Sequence, residues 1–200
     1  MDSICIKNVK VCSPNKDGSQ TDGHILIEDG RIKSIAQQWD LGFEDVDYMI
    51  DAKNMLAVPG FVNMHTHAAM TLFRNYADDK SLQDWLFNHI IPLEDKLTDG
   101  DVYWASCLAI LEMIASGITC FCDMYQSMEH VARAVDESGM KGNLSRGLIC
   151  SEDSRRAVKK DRRLLENIEL YHNWKGHERI KVSFGVHSVY TCSVEYLKYL

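Results

Sequence analysis

The sequence has no surplus of positive charge, since 22 Lys and Arg stand against 29 Asp and Glu, giving a formal net charge of -7. Nucleic-acid phosphates are bound by an excess of Lys and Arg, so this balance argues against a nucleic-acid partner. The sequence also lacks an apolar run near the ~18–20 residues of a membrane span. Its first residues have neither a basic stretch nor the apolar core of a secretory signal. We therefore expect a cytoplasmic protein with a small-molecule partner and no membrane partner.

Cysteine pairs of the Cys-x-x-Cys type are absent as well. The seven cysteines are an odd, scattered set, which does not indicate a disulfide framework and favours reduced thiols. Cys120 and Cys122 share one face of a predicted strand, where burial in the core is favoured over metal binding. The His-x-Glu and Pro-Cys-x-x-Cys signature of one class of zinc deaminases is missing too.

What the sequence does contain is the composition of a globular protein, 46% hydrophobic and 26% charged over 200 residues. Short β-type runs at 4–11, 24–28 and 31–36, with Asp29-Gly30 as a hairpin turn, predict a small antiparallel sheet. A further strand is expected within 49–58. From residue 61 strands alternate with helices, which predicts βα units and a parallel sheet. The predicted strands lie near 61–66, 118–123, 143–150 and 180–187, and the predicted helices near 81–90, 98–116, 126–139, 161–174 and from 193 onward.

Four barrel-type strands are half of what a closed (β/α)8 barrel needs. The predicted fold class is therefore α/β, a partial TIM-type barrel of about four βα units preceded by a small antiparallel β-sheet domain. Residues 1–58 would form the sheet domain and 59–200 the first half of the barrel. The sequence ends at Leu200 inside a predicted helix without a stop signal. We expect a truncated chain, or a subunit completed by the missing C-terminal half or by a second copy.

The stretch from Pro59 to His67 is the strongest functional motif. It is an apolar strand that ends in two histidines one residue apart, and side chains repeat every second residue along a strand. His65 and His67 should therefore point the same way. Neutral imidazoles bind zinc well, although a catalytic zinc takes three protein ligands and a bare His-x-His pair also occurs by chance on surfaces.

This motif resembles the amidohydrolase superfamily. Asp78-Asp79, Trp85-Leu86 and Pro92-Leu93-Glu94 continue the likeness, which is nearest to the 5-methylthioadenosine/S-adenosylhomocysteine deaminases. The resemblance implies a metal-dependent hydrolytic deaminase that converts such adenosine-type nucleosides to inosine analogues and ammonia. It also implies that the amino-terminal sheet is completed by the end of a longer chain as a composite β-sandwich.

The same resemblance assigns roles to five residues. His65 and His67 would bind one Zn²⁺, or another divalent ion, per complete active site. Glu94, Arg146 and His187 would bind the nucleoside. The alternatives are a solvated glutamate for Glu94, a salt bridge at the strand end for Arg146 and a structural histidine for His187, where Val186 and Val189 replace prolines common in the family.

The remaining parts of such a site would come from the second half of the barrel. In the family these are a third histidine, a proton-shuttling glutamate and an aspartate, so no catalytic residue is expected within residues 1–200 and the chain should be inactive alone. Two alternatives stay open. One is another amidohydrolase, such as a guanine or aminoheterocycle deaminase or a triazine hydrolase; the other is a non-catalytic half-barrel that binds a partner.

Overall fold

The computed structural model describes residues 3–12, 20–38, 45–150 and 159–200. The chain divides into two compact units, Met1–Pro59 and Gly60–Leu200. None of the helices in the described ranges is both long and apolar enough to cross a bilayer.

The first unit is a five-stranded sheet. Its strands are β1 (Ser3–Cys12), β2 (Gln20–Glu28), β3 (Arg31–Ala36), β4 (Tyr48–Asp51) and β5 (Leu56–Ala57). The first three pair antiparallel, as predicted. Asp29 and Gly30 both have positive φ, which is the turn that an Asp-Gly hairpin requires.

The segment predicted as one strand within 49–58 is two strands, β4 and β5, and both pair with β1 in parallel. A turn separates them, with the amide of Met55 donating to the carbonyl of Ala52 and Asn54 at a positive φ of 68°. The sheet of this unit is therefore antiparallel in its first three strands and is extended by two short parallel strands.

The second unit is a parallel sheet covered by helices, as predicted. Its strands are β6 (Phe61–Thr66), β7 (Ile118–Tyr125), β8 (Lys141–Leu148), β9 (Ile180–Val182) and β10 (Gly185–Val186). β7 lies between β6 and β8, while β9 and β10 both pair with β8. The strand predicted near 180–187 is thus interrupted at Ser183 and Phe184. Gly185 allows β10 to approach β8, because a Cβ there would lie 2.1 Å from Oγ of Ser145.

The helices of this unit follow the predicted order. A 3₁₀ helix (Ala68–Phe73) and a π-helix (Asp84–Ile90) precede α1 (Ile91–Glu94), α2 (Asp99–Ala115), α3 (Met128–Ser138), α4 (Arg162–Trp174) and α5 (Val194–Tyr199). The predicted helix near 81–90 is the π-helix. Thr98 and Asp101 form a capping box at the start of α2, and Gly117 follows its end with φ of 77°.

The core of the second unit lies between the sheet and its helices. Its buried side chains come from both layers and include Val102, Ile110, Phe121, Val131 and Leu144. Along β7 the buried residues alternate, with Phe121, Asp123 and Tyr125 on the helix side. Asp123 is the charged member of this series, and it lies beside the end of β6.

Candidate metal and nucleoside site

The two histidines of the motif stand at the carboxyl end of β6. β6 pairs in parallel with β7, with Thr66 opposite Asp123. The rings of His65 and His67 have centroids 5.1 Å apart and meet edge to face at 77°. The rings therefore share one side of the strand, at the end where the active sites of barrel enzymes form.

The ring of His67 is oriented by the neighbouring strand. Its Nδ1 lies 2.6 Å from the carbonyl oxygen of Met124. Because a carbonyl only accepts hydrogen bonds, Nδ1 must carry the proton. Nε2 is then the nitrogen with the free lone pair, and a backbone carbonyl on the other ring nitrogen is the usual support of a metal-binding histidine.

The bend of the chain around His67 is held by the buried carboxylate of Asp123. Its Oδ1 accepts hydrogen bonds from Oγ1 of Thr66 at 2.6 Å and from the amide of Ala68 at 2.7 Å, the residues on either side of His67. Oγ1 of Thr66 also lies 2.8 Å from the carbonyl oxygen of Cys122, so its one proton is shared between the two acceptors. Burial raises the pKa of Asp123, although these donors and the nearby histidines oppose the rise. This clamp fixes where the His67 ring leaves the strand.

Glu94 ends the short helix α1 and is tied to the end of β7. The phenol of Tyr125 donates to Oε1 of Glu94 at 2.7 Å, and the side-chain amide of Gln126 donates to its backbone carbonyl at 3.0 Å. The ring of Tyr125 also lies 6.3 Å from that of His67. Tyr125 therefore links the histidine pair to Glu94. Burial and the adjacent Glu94 raise the pKa of this phenol, which keeps it a donor.

Arg146 lies on β8 and points toward the helices. Its Nε donates to Oε2 of Glu166 at 2.8 Å, and its Nη1 donates to the carbonyl of Tyr125 at 3.1 Å. The ion pair is the alternative that the sequence left open for Arg146. Arg146 lines a cavity of about 350 Å³, whereas His67 lines a different one of about 370 Å³. The structure thus connects Arg146 to the end of β7 through the backbone of Tyr125 and does not place it in the cavity that His67 lines.

His187 follows β10 and is exposed. Its amide donates to the carbonyl of Leu148 at 3.0 Å, and its Nδ1 lies 3.2 Å from Oγ1 of Thr191. The backbone is thereby fixed against the end of β8, while the ring hydrogen bond is local. Its substrate role stays a prediction.

The histidine pair provides part of the ligand set that a divalent ion needs. Two imidazoles lie together, and the orientation of one is set by a carbonyl on its second nitrogen. Within the described ranges no group of three or more His, Cys, Asp and Glu side chains is placed to hold a metal. The residues present therefore offer two ligands of the three that a catalytic zinc takes.

Sequence reasoning did not identify Asp123 and Tyr125, which organise this site. One signal for Asp123 was present, because an aspartate inside the apolar strand Ile118–Tyr125 must be buried and paired. Tyr125 gave no such signal, since an aromatic residue at a strand end is ordinary core.

Comparisons with known proteins identify the family of the chain. Residues 56–200 match the sequence model described as the Amidohydrolase family. A 5-methylthioadenosine/S-adenosylhomocysteine deaminase of Caldanaerobacter subterraneus subsp. tengcongensis is 44% identical over 198 residues, which is 98% of this chain and 45% of that one. A 5'-deoxyadenosine deaminase of Methanosarcina barkeri is 45% identical over 200 residues, again 98% of this chain and 45% of the relative.

Among solved structures, an adenosine deaminase from Xanthomonas campestris with bound zinc superposes with a TM-score of 0.84 at 25% identity. The match covers 98% of this chain and 45% of that structure. The chain thus spans less than half the length of the relatives that it matches.

Proposed function

The chain belongs to the amidohydrolase family, and from this we propose that it supplies the metal-binding strand and part of the nucleoside pocket of a hydrolytic deaminase. The substrates would be adenosine-type nucleosides such as S-adenosylhomocysteine and 5-methylthioadenosine. The observation that carries the proposal is the histidine pair of β6, with the Nδ1 of His67 engaged by the carbonyl of Met124.

His65 and His67 would hold the divalent ion through ring nitrogens, and for His67 this nitrogen is Nε2 because Nδ1 faces the carbonyl of Met124. The chemistry that zinc supplies when bound is a pKa of its water lowered to about 7. Asp123 acts through the residues on either side of His67 and keeps that ring at one angle to the strand. Zinc is supported by the zinc-bound adenosine deaminase that shares this fold.

Glu94 would receive the ribose hydroxyls of the nucleoside. An ionised carboxylate only accepts hydrogen bonds, so its free oxygen suits two neighbouring hydroxyl donors. The phenol of Tyr125 already occupies Oε1, which leaves Oε2 of Glu94 for the sugar. A preference for nucleosides over free bases follows from this arrangement. Arg146 and His187 would add contacts to the substrate from the ends of β8 and β10.

We also propose that the chain is inactive by itself. The histidine pair is short of one protein ligand for a catalytic zinc. Large apolar side chains of the sheet edge and of α2 are exposed, as expected where further strands and helices of a barrel would pack. They include Phe61, Val62, Met64, Trp104 and Leu111.

A fused protein tests the function directly. Residues 1–200 are joined to the part of the Caldanaerobacter relative that this chain does not cover, and ammonia release is measured with zinc. The substrates are S-adenosylhomocysteine, 5-methylthioadenosine, adenosine and free guanine. We expect release from the nucleosides by the fused protein and none from residues 1–200 alone. Release from guanine but not from the nucleosides would overturn the assigned substrate class. Turnover by residues 1–200 alone would overturn the proposal that they hold only part of the active site.

A further inference from the structure

Two cysteines far apart in the sequence face each other where β8 ends. The amide of Cys150 donates to the carbonyl of Thr191 at 3.1 Å, and the amide of Ser193 donates to the carbonyl of Cys150 at 2.9 Å. These two bonds pair Cys150 directly with Cys192 in a parallel bridge. Side chains of directly paired residues point to the same face of a sheet.

Both thiols belong to one small apolar cluster. Cys192 is 6% exposed and packs with Leu148, Leu164 and Tyr196, and the half-buried Cys150 packs against the same group. Both cysteine side chains therefore pack against the same apolar group.

We propose that Cys150 and Cys192 form a dithiol site that small-molecule disulfides oxidise to an intrachain disulfide. Adjacent strands lie about 4.7–4.9 Å apart, which is within the roughly 4.4–6.8 Å between Cα atoms that a disulfide tolerates. The other adjacent pair, Cys120 and Cys122, is separated along a single strand and does not face across a bridge.

The oxidation proceeds by thiol–disulfide exchange. The Cys150 thiolate, on the more accessible residue, attacks the small-molecule disulfide, forms a mixed disulfide and releases one thiol. The Cys192 thiolate then attacks the Cys150 sulfur and releases the second thiol. The protein loses two protons and two electrons, and the small-molecule disulfide takes them up as it is reduced to two thiols.

The disulfide acts on the segment that carries His187. The carbonyl of Leu148 accepts hydrogen bonds from the amide of His187 at 3.0 Å and from the Cys192 thiol at 3.2 Å. Oxidation removes the thiol donor and links the segment after His187 covalently to Cys150, two residues beyond the end of β8. An effect on substrate binding rests on the proposed function, whereas formation of the bond does not.

The test uses the 200-residue chain and oxidised glutathione. After oxidation, free thiols are blocked and trypsin is added without reductant. The masses of the peptides are then measured by mass spectrometry. We expect peptide 147–155 joined to peptide 182–198 at their summed mass less two hydrogens. The substitution C12S should leave this species intact, and C150S and C192S should each remove it.

Two comparisons decide the outcome. The joined peptides should form ahead of other cysteine pairs in the folded chain, and this advantage should vanish in guanidinium chloride. Chymotrypsin should cut at the 82% exposed Tyr190 more slowly after oxidation and at the original rate after reduction. Glutathione adducts on single cysteines without the joined species, or equal formation in the denatured chain, would overturn the proposal.

Discussion

The phenol of Tyr125 donates a 2.7 Å hydrogen bond to Oε1 of Glu94, which joins the end of β7 to the short helix α1. Tyr125 is 7% exposed, and the raised pKa of its phenol keeps the proton on the oxygen. Glu94 is the residue proposed to receive the ribose, and its backbone is held by Gln126 as well. The carboxylate is therefore positioned before a nucleoside arrives.

Replacing Tyr125 by phenylalanine should weaken nucleoside binding. The variant keeps the ring beside His67 and removes the hydroxyl, so Glu94 loses the donor that orients it. A hydrogen bond to a charged group contributes about 1.5–3 kcal/mol, so KM for the nucleoside should rise roughly tenfold or more. Since orientation of the sugar is a binding effect, kcat should change little. Steady-state kinetics of the fused protein give both constants.

The matched control for this variant is Y103F. Tyr103 also donates to a carboxylate, that of Glu137, but on the exposed faces of α2 and α3. Its KM should equal that of the parent. If Y125F lowered kcat while KM stayed constant, Tyr125 would not act through Glu94.

The tautomer of His67 is a second prediction. The carbonyl of Met124 at 2.6 Å requires a proton on Nδ1. In the ¹⁵N-histidine-labelled chain without metal, long-range ¹H–¹⁵N correlation spectra in alkaline buffer should show Nδ1–H and an unprotonated Nε2 for this ring. A spectrum with the proton on Nε2 would mean that the ring does not present that nitrogen to a metal.

Thr66→Val should destabilise the second unit. It removes the hydroxyl that donates to Oδ1 of Asp123 and leaves a buried carboxylate with one fewer donor. The free energy of unfolding in urea should fall by about 1–3 kcal/mol. The same substitution at the exposed Thr119 of β7 is the control and should change little. Equal effects at both positions would show that the Asp123 clamp adds nothing.

Protonation of Glu166 should lower the free energy of unfolding at acid pH. Burial raises its pKa, but hydrogen bonds from Arg146 and Arg162 outweigh this and leave the pKa of Glu166 below its ordinary value. The stabilisation is therefore complete above about pH 4.3 and is lost as pH falls through the folded-state pKa. Since Glu166 is 35% exposed, solvent screening keeps the effect below about 1 kcal/mol.

The measurement for Glu166 is the free energy of unfolding in urea between about pH 3 and pH 6. The variant E166Q should show a shallower decline than the parent on the acid side. E169Q, an exposed position on the same helix, should follow the parent. If the free energy of unfolding of E166Q declined as steeply as that of the parent, Glu166 would not contribute to the loss of stability at acid pH.

The fold was predictable from sequence because its signals are local. Asp29-Gly30 specified the hairpin, and Thr98 and Gly117 marked the ends of α2 to within one or two residues. The parallel pairing of β4 and β5 with β1 was not predictable, since it depends on a long-range register. The break between β9 and β10 also depends on packing against β8.

The candidate site was also predictable where the signal is local and not where it depends on long-range packing. The period of a strand placed His65 and His67 together, and the family resemblance pointed to Glu94. Sequence could not show that Tyr125 joins Glu94 to the histidines, because residues 94 and 125 meet only when α1 folds over β7. The ion pair of Arg146 with Glu166 likewise needs α4 to lie on β8.

The most direct test of the central claim is the metal content of the fused protein after exposure to zinc and removal of loose metal. Elemental analysis should find roughly one zinc per chain, because the pair of imidazoles is completed by the remaining ligand. The double variant H65A/H67A should lose that zinc, whereas H89A, a histidine next to Tyr76, should retain it. Full zinc content in the double variant would contradict the account.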